Sequence, residues 1–316
     1  LASARVSVLT PHRKGGPFNW GKNLVESING SGHHKAGHVH DIPGLLSAPL
    51  WQDADLIHTT VPLAVRLWKK PVMLTVHGDY SIENNVWKYL YPHAIRMADA
   101  VTTPSTFLKE RLSLDRAEVI PNAVFPERFR APVRDAGDVV NLVTVTKFYF
   151  EDKAQGVLDL LRILERAKKS TDHEVWLTVV GGGKYLRPVR KKAGASTVNV
   201  HFTGFLDRPA EALERGDIFI YYSTHDNFPI TILEAMASGL PVLTNDVGAA
   251  REIIENGRDG YVARTDEEYA EHLCRLIEDP ELRQAMGRQA RKTVEEKFSW
   301  PTVVEKYTAL YQNLIE

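Results

Sequence analysis

Asp226-Asn-Phe-Pro-Ile-Thr-Ile-Leu-Glu234-Ala-Met-Ala-Ser-Gly239-Leu-Pro241-Val242 sets two carboxylates eight positions apart, one in a loop and one inside a predicted helix. Upstream, Ile218-Phe-Ile-Tyr-Tyr-Ser223 reads as a buried strand. Downstream, residues 232–238 are good helix formers, stopped by Gly239 and Pro241. A strand, a short loop and a helix N-terminus form a seat for a phosphate-bearing ligand. Ionised Asp and Glu only accept hydrogen bonds, so the two carboxylates suit ligand hydroxyls. Phosphate together with hydroxyls points to a nucleotide sugar.

The segment resembles the acidic pair (Glu, seven residues, Glu) of retaining glycosyltransferases with the GT-B fold, family four of the usual sequence classification. Here Asp226 takes the first place, one methylene shorter than Glu. The resemblance extends over nearly the whole chain. It implies two Rossmann-like α/β domains with parallel sheets facing a cleft, and a C-terminal helix crossing back to the N-terminal domain.

At 316 residues the chain is too long for one ordinary core. It is 43% hydrophobic and 25% charged, the composition of a globular protein. No apolar run reaches the ~20 residues of a membrane span, and no signal-peptide pattern opens the sequence. The single cysteine, Cys274, excludes an internal disulfide and fits a reducing compartment. A cytoplasmic location is expected. Residues 1–134 carry 16 Lys+Arg against 11 Asp+Glu, which leaves 23 against 29 of the totals of 39 and 40 for the remainder. That excess suggests an anionic partner for the first half, and falls far short of a nucleic-acid-binding profile. Leu63-Ala-Val-Arg66-Leu-Trp68-Lys69-Lys70 mixes apolar, aromatic and cationic residues as peripheral membrane segments do, and equally reads as an ordinary α/β helix.

Apolar runs alternate with helical patterns, which predicts parallel sheets. Strands are expected at 6–9, 56–58, 72–76, 100–103 and 117–120, then at 139–144, 175–180, 198–202, 218–222, 242–244 and 260–263. Helices are expected at 156–169 and 267–277. The Pro- and Arg-rich stretch 126–138 reads as a hinge. It follows Ile120-Pro-Asn-Ala-Val124, which is similar to the family's Ile-Pro-Asn-Gly-Val. The expected division is 1–134 for acceptor binding, 135–298 for the nucleotide sugar, and 299–316 for the crossover helix.

Lys147-Phe-Tyr-Phe-Glu-Asp-Lys153-Ala-Gln-Gly156 resembles the family's Gly-Arg-Leu…Lys-Gly element, whose cations grip the diphosphate. Fixed positive charge there stabilises the leaving group without proton transfer. Lys147 stands where Arg is usual. Counting from Lys147 favours Lys153 for the second cation, whereas alignment from Gly156 puts Gln155 there; we take Lys153. Gly15-Gly16 resembles the glycine-rich loop after the first strand. Gly181-Gly-Gly183 lacks the G-x-G-x-x-G spacing and reads as a strand-end turn. His77, at a strand's carboxyl end, resembles the family histidine beside the donor sugar. His33, His34, His38 and His40 are read as loop, and the resemblance implies no metal. Gly204, Phe205 and Leu206 match the segment that receives the nucleobase. Phe228, Pro229 and Ile230 are expected to offer backbone N–H groups to the donor.

The resemblance gives Glu234 the ribose hydroxyls, Asp226 the sugar hydroxyls, and Lys147 and Lys153 the leaving diphosphate. It implies retaining transfer of a hexose from a UDP-sugar, with GDP-mannose second, to a lipid-linked or glycan acceptor. Two other classes stay open: a GT-B epimerase or phosphorylase, and a two-lobed sugar-binding protein without catalysis.

Overall fold

A computed structural model describes residues 3–11, 15–40, 53–66, 70–83, 85–132, 137 and 139–316. The chain divides into two compact units, Leu1–Ala123 with Trp300–Glu316, and Val124–Ser299. The leading segment of the first unit thus ends at Ala123, ahead of the stretch 126–138 read as a hinge. Within the second unit, Val124 N donates to Phe298 O, and Arg291 Nη1 donates to the carbonyls of Pro126 and Phe129.

In the first unit, β1 (Arg5–Leu9), β2 (Lys35–Val39), β3 (Leu56–Thr59), β4 (Val72–Thr75), β5 (Ala100–Thr103) and β6 (Glu118–Val119) form a six-stranded parallel sheet in the order β2-β1-β3-β4-β5-β6. β3 and β4 are buried at every position, as expected of central parallel strands covered on both faces. β2 takes His38 out of the loop expected for the four histidines, while His33, His34 and His40 stay outside the strand. Lys-Ala-Gly-His-Val has little apolar character, but pairing with β1 from Arg5↔Lys35 to Leu9↔Val39 holds it at the sheet edge.

Helix α1 (Gly16–Ser31) follows β1, and α2 (Trp87–Met97) and α3 (Thr106–Arg111) lie further along. The last helix of the chain, Trp300–Ile315, belongs to this unit and buries Trp300, Val303, Val304, Tyr307, Thr308 and Tyr311 at helical spacing. Its anchor is polar as well as apolar. Ser27 Oγ donates to Trp300 O (3.2 Å), and His58 sits between Tyr311 Oη (2.7 Å) and Thr75 Oγ1 (2.6 Å). Burial drives the His58 pKa down to about 3, so the imidazole is neutral and can serve both partners.

The second sheet runs β12-β11-β10-β7-β8-β9, again all parallel. Its strands are β7 (Val139–Val145), β8 (Glu174–Val180), β9 (Asn199–Gly204), β10 (Ile218–Tyr221), β11 (Val242–Asn245) and β12 (Gly260–Ala263). In the chain order of this unit, that is the doubly wound arrangement whose strand order reverses between β7 and β10. Its helices are α4 (Glu151–Ala167), α5 (Leu186–Ala193), α6 (Ala210–Glu214), α7 (Ile230–Ala237), α8 (Ala250–Ile253), α9 (Asp266–Glu278) and α10 (Pro280–Lys297), and the Trp300–Ile315 helix of the first unit becomes α11.

α4 starts five residues earlier than expected, with Glu151 and Asp152 in its first turn facing the positive helix end. α7 stops where the sequence placed its end. Gly239 takes φ +68°, and Leu240 N returns to Ala235 O.

Gly156 is where α4 meets β10. A Cβ there would lie 2.0 Å from Tyr222 O. Gly156→Ala is therefore expected to push the helix off the sheet and cost about 1–3 kcal/mol. Thermal unfolding followed by circular dichroism checks this; an unchanged midpoint would mean that the contact yields freely.

Candidate active site

The loops after β7, β8, β9 and β10 gather the second-unit candidates at the carboxyl end of the sheet, around the strand-order reversal. Asp226 lies in the loop between β10 and α7. Its Oδ2 accepts from Lys153 Nζ and, at 2.6 Å, from Tyr221 Oη; Lys153 also donates to the Tyr221 oxygen. Lys153 and Asp226 side chains are 17% and 19% exposed, so the pair is mostly withdrawn from water yet open on one side. Gln155 is exposed and donates to Asp159 Oδ1 at 3.2 Å. The site therefore contains Lys153 and leaves Gln155 outside.

Glu234 stands one turn into α7, and its carboxylate has no hydrogen-bond partner among the described residues. Burial pushes its pKa up to about 7, against the opposing pull of Lys147. Lys147, just beyond β7, is exposed. The α7 N-terminus has no side-chain cap. One sequence expectation fails here on covalent grounds: Pro229 has no N–H. Phe228 and Ile230 carry the only donors of the three. The Phe228 side chain is in the core at 7% exposure, and Pro229 is buried.

Gly181 takes φ +144°, and a Cβ on it would lie 1.9 Å from Thr146 O, so only glycine lets the β8 turn close on the end of β7. Gly181 N donates to Gly204 O at 2.9 Å, joining this turn to the end of β9. Phe205 then projects 73% exposed, and Leu206 packs against the core. An exposed aromatic ring at a strand end, beside the Gly182 backbone, can stack against a planar base.

In the first unit, Gly15 precedes α1 with φ +103°, and a Cβ on Gly15 or Gly16 would meet nothing within 4 Å. His77 follows β4. Trp20 of α1 meets it edge-on, with ring centroids 4.6 Å apart at 70°. Burial lowers the His77 pKa to about 4, and Nε2 is buried without a hydrogen-bond partner among the described residues. At neutral pH the ring is thus an uncharged hydrogen-bonding group.

His38 and His40 pack together with ring centroids 5.2 Å apart, while the other histidines of this stretch have partners of their own. His34 Nδ1 accepts from Ala4 N (3.2 Å), His38 Nε2 pairs with Thr10 Oγ1 (2.9 Å), and His33 Nε2 is 3.9 Å from Glu305. Among the described residues no group of three or more His, Cys, Asp or Glu side chains gathers. Nor is any described helix long and apolar enough to cross a membrane. Leu67, Trp68 and Lys69 of the cationic segment lie outside the described residues. Tyr221 and Trp20 were missed by sequence reading. A tyrosine closing an apolar strand just before an acidic loop was the available signal for the first.

Two family models match in succession: Glycosyltransferase Family 4 over residues 1–128 and Glycosyl transferases group 1 over residues 142–293. N-acetyl-alpha-D-glucosaminyl L-malate synthase of Bacillus anthracis is 29% identical over 167 residues, 52% of this chain and 43% of that protein. The chain thus spans less than half the length of that relative. A glycosyltransferase from Rickettsia africae superposes with a TM-score of 0.81 at 18% identity, covering 100% of both chains. Anabaena HepE, solved in complex with UDP and glucose, superposes with a TM-score of 0.77 at 16% identity, covering 98% of this chain and 100% of that one. The likeness of structure carries the two-unit α/β fold of GT-B glycosyltransferases. Each unit thus matches its own glycosyltransferase family model, and the two matches together span most of the chain.

Proposed function

We propose that the protein is a retaining hexosyltransferase that takes a nucleotide diphosphate sugar, a UDP-sugar before GDP-mannose, and passes its hexose to a glycan or lipid-linked acceptor. The carrying observation is the convergence of Lys147, Lys153, Asp226 and Glu234 at the strand-order reversal of the second sheet. Simple sugar binding needs no such cations, and this argues against a non-catalytic two-lobed protein. The UDP complex of Anabaena HepE supports the choice of base.

In this reading Glu234 accepts from the ribose hydroxyls and Asp226 from the hexose, while Phe205 stacks on the base. The sugar C1–O(phosphate) bond breaks as C1 bonds the acceptor oxygen on the same face. The acceptor proton passes to the leaving phosphate oxygen, so the products are the glycoside and the nucleoside diphosphate. Lys147, Lys153 and the α7 N–H groups stabilise the negative charge on that leaving group. The surplus positive charge of residues 1–134 supports an anionic acceptor in the first unit.

The direct test is a thermal-shift screen with UDP, GDP and ADP, followed by product analysis with the matching nucleotide sugars. UDP is expected to raise the melting midpoint most, by several degrees at about 100 times its Kd. Stabilisation by none of the three would remove the proposal. Conversion of the nucleotide sugar without any acceptor into its epimer would favour the epimerase.

A further inference from the structure

Asp226 does not stand free in its loop. Tyr221, the last residue of β10, is 3% exposed and donates its phenol proton to Asp226 Oδ2 at 2.6 Å, the oxygen that also receives Lys153. The tyrosine is itself held. Its ring lies nearly parallel to Phe219 (6.4 Å, 9°), and Tyr269 Oη is 3.2 Å from its carbonyl oxygen. Burial and the neighbouring Asp226 charge keep the phenol pKa well above its ordinary value, so it remains a donor throughout the working pH range. The other carboxylate oxygen, Oδ1, has no partner among the described residues, and the side chain is 19% exposed.

We propose that Tyr221 is a specificity-determining residue of the donor site: by holding Asp226 Oδ2 together with Lys153, it restricts recognition of the hexose to Oδ1 and so lets the site distinguish sugar epimers. This rests on the reading of Asp226 as the residue that meets the sugar. A carboxylate free to turn can follow a hydroxyl moved to the other face of the ring, using whichever oxygen comes nearer. A carboxylate fixed at one oxygen cannot, and the wrong epimer then leaves a polar group unpaired, which is how hydroxyl-reading sites discriminate strongly. Asp suits this arrangement better than Glu, having one fewer torsion to fix.

The test is calorimetric titration of the full chain with UDP, UDP-glucose and UDP-galactose, wild type against Tyr221→Phe. UDP affinity should stay within about twofold, the preferred UDP-sugar should weaken about fivefold or more, and the ratio between the epimers should fall at least about threefold. In an Asp226→Ala background, Tyr221→Phe should leave that ratio unchanged, because the carboxylate it restrains is gone. An unchanged ratio in the single variant overturns the proposal, as does equal weakening of all three ligands, which is the mark of a packing defect. A wild type that binds both epimers equally overturns it too. A protein that prefers GDP is tested identically with GDP, GDP-mannose and GDP-glucose. Failure of the wild type to bind either nucleotide strikes the reading of the site itself, whereas binding with an unaltered ratio strikes Tyr221 alone.

Discussion

Glu234→Gln should weaken nucleotide binding about tenfold or more at pH 8, since a charge-assisted hydrogen bond contributes about 1.5–3 kcal/mol. In the wild type the same affinity should rise about tenfold between pH 6 and pH 8, because a carboxyl with a pKa of about 7 ionises across that interval and only the ionised form accepts two hydroxyls. Binding should also release a proton near neutrality, detectable as a buffer-dependent calorimetric heat. Stability runs the other way. The folded carboxyl holds its proton more tightly than the unfolded one, so its contribution is full below pH 4.5 and is lost as the pH climbs to about 7. The loss is on the order of 3 kcal/mol. Glu234→Gln should flatten both profiles. A variant whose affinity matched the wild type at pH 8 would place the ribose elsewhere.

The other large effect is at the diphosphate. Lys153→Ala should slow turnover of the nucleotide sugar about 100-fold to 1000-fold, the usual consequence of removing one group that stabilises developing charge. Gln155→Ala should change it by no more than about twofold, because that side chain is exposed and donates to Asp159. Initial rates of nucleoside diphosphate release measure both. The reverse ranking would mean that the cation contacting the leaving group is not Lys153. Lys153→Ala also leaves Asp226 without its counter-charge, so Lys153→Arg belongs beside it as the variant that keeps the charge.

Much of the architecture could be read from local pattern. Eleven strands announce themselves as short apolar runs, and most of them are held in a sheet core, as Ile218–Tyr221 is at every position. β2 did not, since it is an edge strand of alternating exposure whose existence depends on bonds to β1. The helix behind Lys153 was legible, but its first residue was not. Residues 153 and 155 differ by two steps of 100° on a helix, so only once α4 is seen to begin at Glu151 is it settled which of them faces Asp226.

The acidic pair, the glycine turns and the family resemblance are properties of the sequence alone, because each depends on residue type and spacing. What the tertiary structure alone decides is the electrical state and the company of those groups. Glu234 reads as an ordinary carboxylate until burial raises it to about 7, and His77 as an ordinary imidazole until burial lowers it to about 4. Tyr221 and Asp226 are close in sequence, but Lys153 meets them from 73 residues before Asp226. That meeting requires β7 and β10 to lie side by side, with their carboxyl ends together, and no local pattern encodes which strands become neighbours.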